Sequence, residues 1–127
     1  MKKKILVIDD DKDLSELVKS ALESQGFQAS VLNSGKYAVK LIKKEMPDLI
    51  LLDIRLPDKD GYQICDEIKS TDETKQIPVI VFTGEDTERT LLEDIHNFYG
   101  ANDCLKKPFE LDDLYAKVKK LLAEKKK

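Results

Sequence analysis

Asp48-Leu49-Ile50-Leu51-Leu52-Asp53 is an unbroken apolar run with an acid at each end. A strand with one face in water alternates apolar and polar side chains, whereas a strand covered on both faces has no polar side to show. The run therefore predicts a central strand of a parallel sheet, with helices above and below it. Ile5-Leu6-Val7-Ile8 and Val79-Ile80-Val81-Phe82 repeat the pattern, and weaker strands are expected near residues 28–32 and 103–106. Between the strands the apolar spacing turns helical. Leu14, Leu17, Val18, Ala21 and Leu22 share one face, as do Ala38, Leu41 and Ile42, then Ile64, Cys65 and Ile68. Leu91, Leu92, Ile95, Phe98 and Tyr99 predict a fourth helix, and Leu111, Leu114, Val118, Leu121 and Leu122 a final one. Strand and helix alternate five times, which defines an α/β fold.

Punctuation agrees with that reading. Asp11 or Asp13 is placed to cap the first helix, and Gly26 to stop it after Gln25. Ser34 is expected to cap the second helix, which Met46-Pro47 ends. Pro78 opens its strand, a position proline tolerates, and Gly100 closes the fourth helix. The stretch from Leu56 to Gly61 reads as a loop.

A chain of 127 residues is expected to form one domain, residues 1–127, large enough to bury a core without disulfides. With 41% hydrophobic and 37% charged residues it is a globular sequence with a dense charged surface. Its apolar runs are far too short to span a membrane, and the N-terminus shows no secretory pattern. Net charge is −3, and the lysine runs at the two ends read as solvated termini, so nucleic-acid binding is not expected. Cys65 and Cys104 lack metal-ligand spacing and read as thiols packed in a reducing cytoplasm.

Chemistry is concentrated where strands should end. Asp9-Asp10-Asp11 follows the first strand, Asp53 closes the third, Thr83-Gly84 follows the fourth, and Lys107-Pro108 follows the fifth. In an open parallel sheet these ends share one edge, where ligands bind. Adjacent carboxylates repel unless a cation neutralises them, and hard oxygen ligands suit Mg²⁺. Helix capping needs one aspartate and accounts for Asp11, not for Asp9 and Asp10. On that pair alone, capping and cation binding both stay open. Asp53 at a strand end is either a satisfied core acid or a functional group; unpaired buried charge is expensive, which favours function. A carboxylate can act as nucleophile toward a phosphoryl group, a transfer that needs positioning and charge neutralisation above all. Thr83 can donate to a phosphoryl oxygen, and Gly84 leaves room for an incoming donor. A proline-fixed turn can aim the Lys107 ammonium inward. His96 reads as a helical surface residue.

Together these residues resemble the receiver domain of two-component response regulators (CheY-like), over essentially the whole chain. The segments that carry the resemblance are Ile5-Leu-Val-Ile-Asp-Asp-Asp11, Leu52-Asp-Ile-Arg-Leu-Pro-Asp-Lys-Asp-Gly61, Val81-Phe-Thr-Gly84 and Lys107-Pro-Phe109, in family order. The resemblance implies a flavodoxin-like, doubly wound (βα)5 sheet of five parallel strands in order 2-1-3-4-5, with helices on both faces. It implies that Asp53 is the phosphoacceptor and that Asp9, Asp10, Asp53 and the backbone carbonyl of Arg55 hold Mg²⁺. Thr83 and the nitrogen of Gly84 would hold phosphoryl oxygens. Lys107 would bridge phosphoryl and Asp53, before a cis bond to Pro108. Implied partners are a histidine kinase or histidine phosphotransfer protein as donor, and an output domain or protein reached through the last two helices. A phosphorylation-dependent homodimer is also compatible with it.

Three features depart from the family pattern. Cys104 stands where an aromatic residue usually couples Thr83 to the output face. The stretch from Thr83 to Lys107 is about two residues longer than in common members, by the resemblance, with Phe98-Tyr99 where a small residue is frequent. Arg55 and Glu85 flank the site with opposite charges, and we expect them either to pair across its mouth, limiting hydrolysis, or to be solvated separately. Two other functions compete with a phosphorylation switch. An Asp-nucleophile phosphatase would carry a second acid two residues after Asp53, where Arg55 stands. A phosphorylation-independent scaffold needs none of the acids, and Cys104 keeps it open. The domain would be no enzyme in the usual sense, only self-phosphorylating and self-dephosphorylating, and either a stand-alone regulator or an excised module.

Overall fold

Each predicted strand within the described part of the chain closes a parallel ladder with its neighbours. The computed structural model describes residues 2–54, 56, 58, 60–83 and 100–125. In chain order the elements are β1 (Lys4–Ile8), α1 (Lys12–Ser24), β2 (Gln28–Leu32), α2 (Ala38–Glu45), β3 (Leu49–Asp53), α3 (Gly61–Ser70), β4 (Val79–Thr83), β5 (Asp103–Lys106) and α4 (Leu111–Lys125). The strands form one sheet in the order β2-β1-β3-β4-β5, all pairs parallel. The helix expected over 91–99 lies outside the described residues.

Side-chain alternation along the strands splits the core into two layers. Leu6 and Ile8 of β1, with Ile50 and Leu52 of β3, pack with Ala38 and Ile42 of α2 and Ile64, Cys65 and Ile68 of α3. Ile5, Val7, Leu49 and Leu51 point the other way, with Val18 and Leu22 of α1 and Leu114, Val118, Leu121 and Leu122 of α4. Every residue of β3 is buried, as its uninterrupted apolar run requires. The edge strand β2 is only partly covered.

Termini of the elements follow local chemistry. Asp11 caps α1, its carboxylate accepting from the Leu14 amide at 3.0 Å. Gly26 follows with φ +91°, a conformation that favours glycine. Met46 closes α2 with φ 46°, and Asp60 caps α3 by accepting from the Tyr62 amide at 2.9 Å. The Ser34 cap is corrected: the cap position falls three residues later, on Tyr37, which makes no side-chain capping bond. The amides of Gly35 and Lys36 are bound instead from another loop, by the carboxylate of Asp58 at 2.9 and 3.0 Å.

Candidate functional site

Strand register brings the site together. Ile8 pairs with Leu52, Asp53 with Phe82, and Thr83 with Lys106, so the C-terminal ends of four adjacent strands share one edge. Asp9 leaves β1 there and is fully buried. Its amide donates to the Leu32 carbonyl at 3.1 Å. Its carboxylate accepts from the Asp11 amide at 3.0 Å and from the Lys107 ammonium at 2.8 Å. Asp53, the last residue of β3, is 6% exposed and lies 3.4 Å from the same ammonium. Asp10 is exposed beside them. One carboxylate oxygen from each of Asp9, Asp10 and Asp53 falls within 4.8 Å of the others.

Lys107 is held from below as well. It precedes a cis bond to Pro108, and Phe109 stacks on Phe82 with ring centroids 5.2 Å apart. The ammonium sits 5.7 Å from the Phe82 ring centroid, within cation–π range. Burial alone would push this ammonium toward deprotonation. The hydrogen bond to Asp9 and the charges of Asp53 and Asp9 together outweigh burial, and its pKa rises above the ordinary 10.5. Lys107 is therefore a permanent cation at neutral pH, and it neutralises part of the acidic cluster.

The donor set fits Mg²⁺. All three candidate ligands are carboxylates, the hard oxygen donors this ion selects, and two are already desolvated. Ligands of one Mg²⁺ lie about 2.9 Å apart when adjacent and about 4.2 Å apart when opposite. Three oxygens within 4.8 Å of one another are therefore on the scale of one site and would draw together around the ion.

Asp53 is fixed from its far side by Gly61. A Cβ there would lie 2.5 Å from both Cα and the carbonyl oxygen of Ile54 and 2.6 Å from the Asp53 carbonyl. Only hydrogen fits, so the first turn of α3 closes onto the backbone leaving β3. The Gly61 amide donates to the Ile54 carbonyl at 2.8 Å, and the Ile54 amide to the Phe82 carbonyl at 3.2 Å.

Of the residues expected at the site, the fold brings Asp9, Asp10, Asp53 and Lys107 together. Thr83 ends β4 on the same edge. Arg55, Gly84 and Glu85 lie outside the described residues, as does the expected Arg55–Glu85 pair. Lys107, expected to bridge toward Asp53, makes its shorter contact with Asp9. Cys104 of β5 pairs in register with Val81 of β4 and packs, half-buried, against the layer formed by α2 and α3. Burial pushes its thiol pKa up, and the Asp103 charge adds to that.

Three residues escaped the sequence reading. The Asn33 amide group donates to the Asp9 carbonyl at 2.7 Å and to the buried hydroxyl of Ser15 at 3.1 Å. Asp58 binds the turn two residues further on. Asparagine after a strand, serine in a helix and aspartate after proline are ordinary turn or surface residues in a sequence, so nothing marked them.

The comparisons agree with this geometry. A family model described as the response regulator receiver domain matches residues 5–119, and the chain belongs to that family. It is 34% identical to a two-component response regulator from Clostridium difficile, with TM-score 0.86 over 96% of this chain and 97% of that one. A CheY-like receiver domain protein from Methanospirillum hungatei gives 26% identity and TM-score 0.89 over 99% and 98%. NtrX from Brucella abortus gives 30% identity and TM-score 0.87, covering 99% of this chain but 28% of that one. The family is one of regulatory phosphoacceptor domains that bind Mg²⁺ in an acidic pocket. Among the described residues no helix is long and apolar enough to cross a membrane.

Proposed function

We propose that this domain is a phosphorylation-dependent signalling switch that accepts a phosphoryl group on Asp53. The observation that carries the reading is the convergence of buried Asp9 and Asp53 on the Lys107 ammonium, with Asp10 beside them. Buried carboxylates this close are costly unless cations share them. An acidic site that already holds one fixed cation and can take a divalent one suits phosphoryl transfer.

In the proposed reaction a carboxylate oxygen of Asp53 attacks the phosphorus of a phosphohistidine on a kinase or phosphotransfer protein. The new O–P bond forms an acyl phosphate as the N–P bond breaks, and the imidazole leaves with the electron pair. Mg²⁺ held by Asp9, Asp10, Asp53 and the Arg55 carbonyl would supply charge neutralisation. Lys107, protonated throughout, is placed to shift from Asp9 and Asp53 toward phosphoryl oxygens. Thr83 ends β4 on the same edge, and it and the backbone amide of Gly84 would bind the remaining oxygens. The added charge then biases the β4–β5 side of the domain between two arrangements, read by an output domain or partner in the cytoplasm. A homodimer formed on phosphorylation is one such readout. With Cys104 in place of an aromatic ring, the Thr83 displacement is transmitted without a ring swing.

Intact mass after incubation with acetyl phosphate and Mg²⁺ tests the proposal. One phosphoryl adduct is expected, absent in Asp53→Asn and absent without Mg²⁺. No adduct in folded protein, sampled faster than hydrolysis, moves the assignment to a phosphorylation-independent scaffold. Repeated turnover of a phosphoester moves it to a phosphatase.

A further inference from the structure

The turn between β2 and α2 touches the Asp9–Asp10 peptide and the segment that follows Asp53 without contributing a ligand to the acidic site. At one end, Asn33 donates to the carbonyl oxygen of Asp9 at 2.7 Å and to Ser15 at 3.1 Å. That carbonyl belongs to the peptide joining Asp9 to Asp10, and a peptide is planar. Holding its oxygen fixes the plane from which Asp10 departs. Asp10 is exposed, so its carboxylate is aimed chiefly by the backbone that carries it. Ser15 is fully buried in α1, and its own hydroxyl donates to the Lys12 carbonyl at 3.1 Å. The Asn33 amide is thereby anchored to the helix that starts at the acidic turn.

At the other end, the amides of Gly35 and Lys36 donate to the two oxygens of Asp58 at 2.9 and 3.0 Å. Asp58 lies in the segment between Asp53 and α3, the same segment that carries Arg55. A carboxylate receiving two backbone amides is favoured in its charged form by those hydrogen bonds. Its pKa is lowered, first by the Gly35 amide, and also by the Lys36 amide and charge. The turn of residues 33–36 is thus bonded to the peptide before Asp10 on one side and to the loop after Asp53 on the other.

We propose that this turn is a brace that sets the spacing of the cation site, with Asn33 and Asp58 as positioning residues. The inference rests on the metal-assisted reading above. Groups that orient ligands without touching the metal typically change its affinity by about 10- to 100-fold when removed. Asn33→Ala is expected to raise the Mg²⁺ dissociation constant about tenfold, and Asp58→Ala to raise it several-fold. Asn33→Asp keeps the shape but replaces the donor by an acceptor facing the Asp9 carbonyl, so it should not rescue binding. Asp58→Asn retains one acceptor and should recover part of it.

The experiment is isothermal titration of the folded variants with Mg²⁺, beside amide hydrogen exchange and urea unfolding of the metal-free proteins. Gly35 and Lys36 amides should be protected in the native protein and exchange rapidly in Asp58→Ala. Weaker Mg²⁺ binding by variants that remain fully folded, with the stated rescue pattern, supports the brace. Unchanged affinity in both alanine variants, with native protein binding normally, overturns the brace alone. No Mg²⁺ binding by native protein overturns the functional reading and the brace with it.

Discussion

Replacing Lys107 by methionine removes the one fixed cation that the described residues place between Asp9 and Asp53 while keeping an unbranched apolar stem. The ammonium lies 2.8 Å from one carboxylate and 3.4 Å from the other, and its side chain is 20% exposed. At an effective dielectric of about 20, those separations correspond to gross attractions of roughly 6 and 5 kcal/mol. Desolvation of all three charges cancels much of this. Removing one partner of a buried pair costs about 3–5 kcal/mol, and partial exposure puts Lys107→Met at the lower end, about 3 kcal/mol. Urea unfolding at pH 7 in EDTA, followed by circular dichroism, measures it. Because the ammonium and Mg²⁺ compete for the same oxygens, the variant should bind Mg²⁺ more tightly than the native protein while accepting phosphoryl more slowly. The pH dependence has a definite sign. The folded pKa of Lys107 lies above its ordinary 10.5, so its stabilisation is whole below that pH and lost as pH rises through the raised value. The stability gap between native and variant should therefore stay level from pH 7 to about 10 and close above that. A loss under about 1 kcal/mol, or weaker Mg²⁺ binding by the variant, refutes the reasoning.

Two further outcomes follow from the packing around the site. Gly61→Ala drives a Cβ to 2.5 Å from backbone atoms of Ile54, which no side-chain rotation relieves. It should destabilise by about 2–3 kcal/mol, toward the upper end for overpacking, and slow phosphoryl uptake at Asp53; urea unfolding within 0.5 kcal/mol of native, the range of a harmless surface change, would contradict it. Burial pushes the Cys65 thiol up to about 11, so it stays protonated at pH 8 and reacts with iodoacetamide only through opening of the core. Half-buried Cys104 should be alkylated first, resolved by peptide mass mapping, and equal native-state rates count against that.

The acidic turn, the strand that ends in Asp53 and the Lys107-Pro108 turn were legible because each is a polar interruption of an apolar pattern. The second helix was placed too early at Ser34 because a local rule assigns a cap to the nearest hydroxyl. The turn ahead of it is instead bound by Asp58, more than twenty residues along the chain, and local propensity carries no trace of a partner so distant. Lys107 illustrates the same limit. Its presence at the site was readable, but its closer approach to Asp9 than to Asp53 depends on how two strand ends and a turn meet.

From its residues alone, the chain specifies alternating strands and helices, because burial on one face or two imposes different periods that a sequence must obey. It also specifies which acids stand at strand ends, since charge within those strands would be excluded. Tertiary structure alone decides which carboxylate Lys107 holds, that Gly61 closes on the peptide after Asp53, and that Asn33 and Asp58 brace two loops from between them. Those outcomes rest on contacts of a few ångströms between segments far apart in the chain, and hydrogen bonding at such distances is set by how the layers pack.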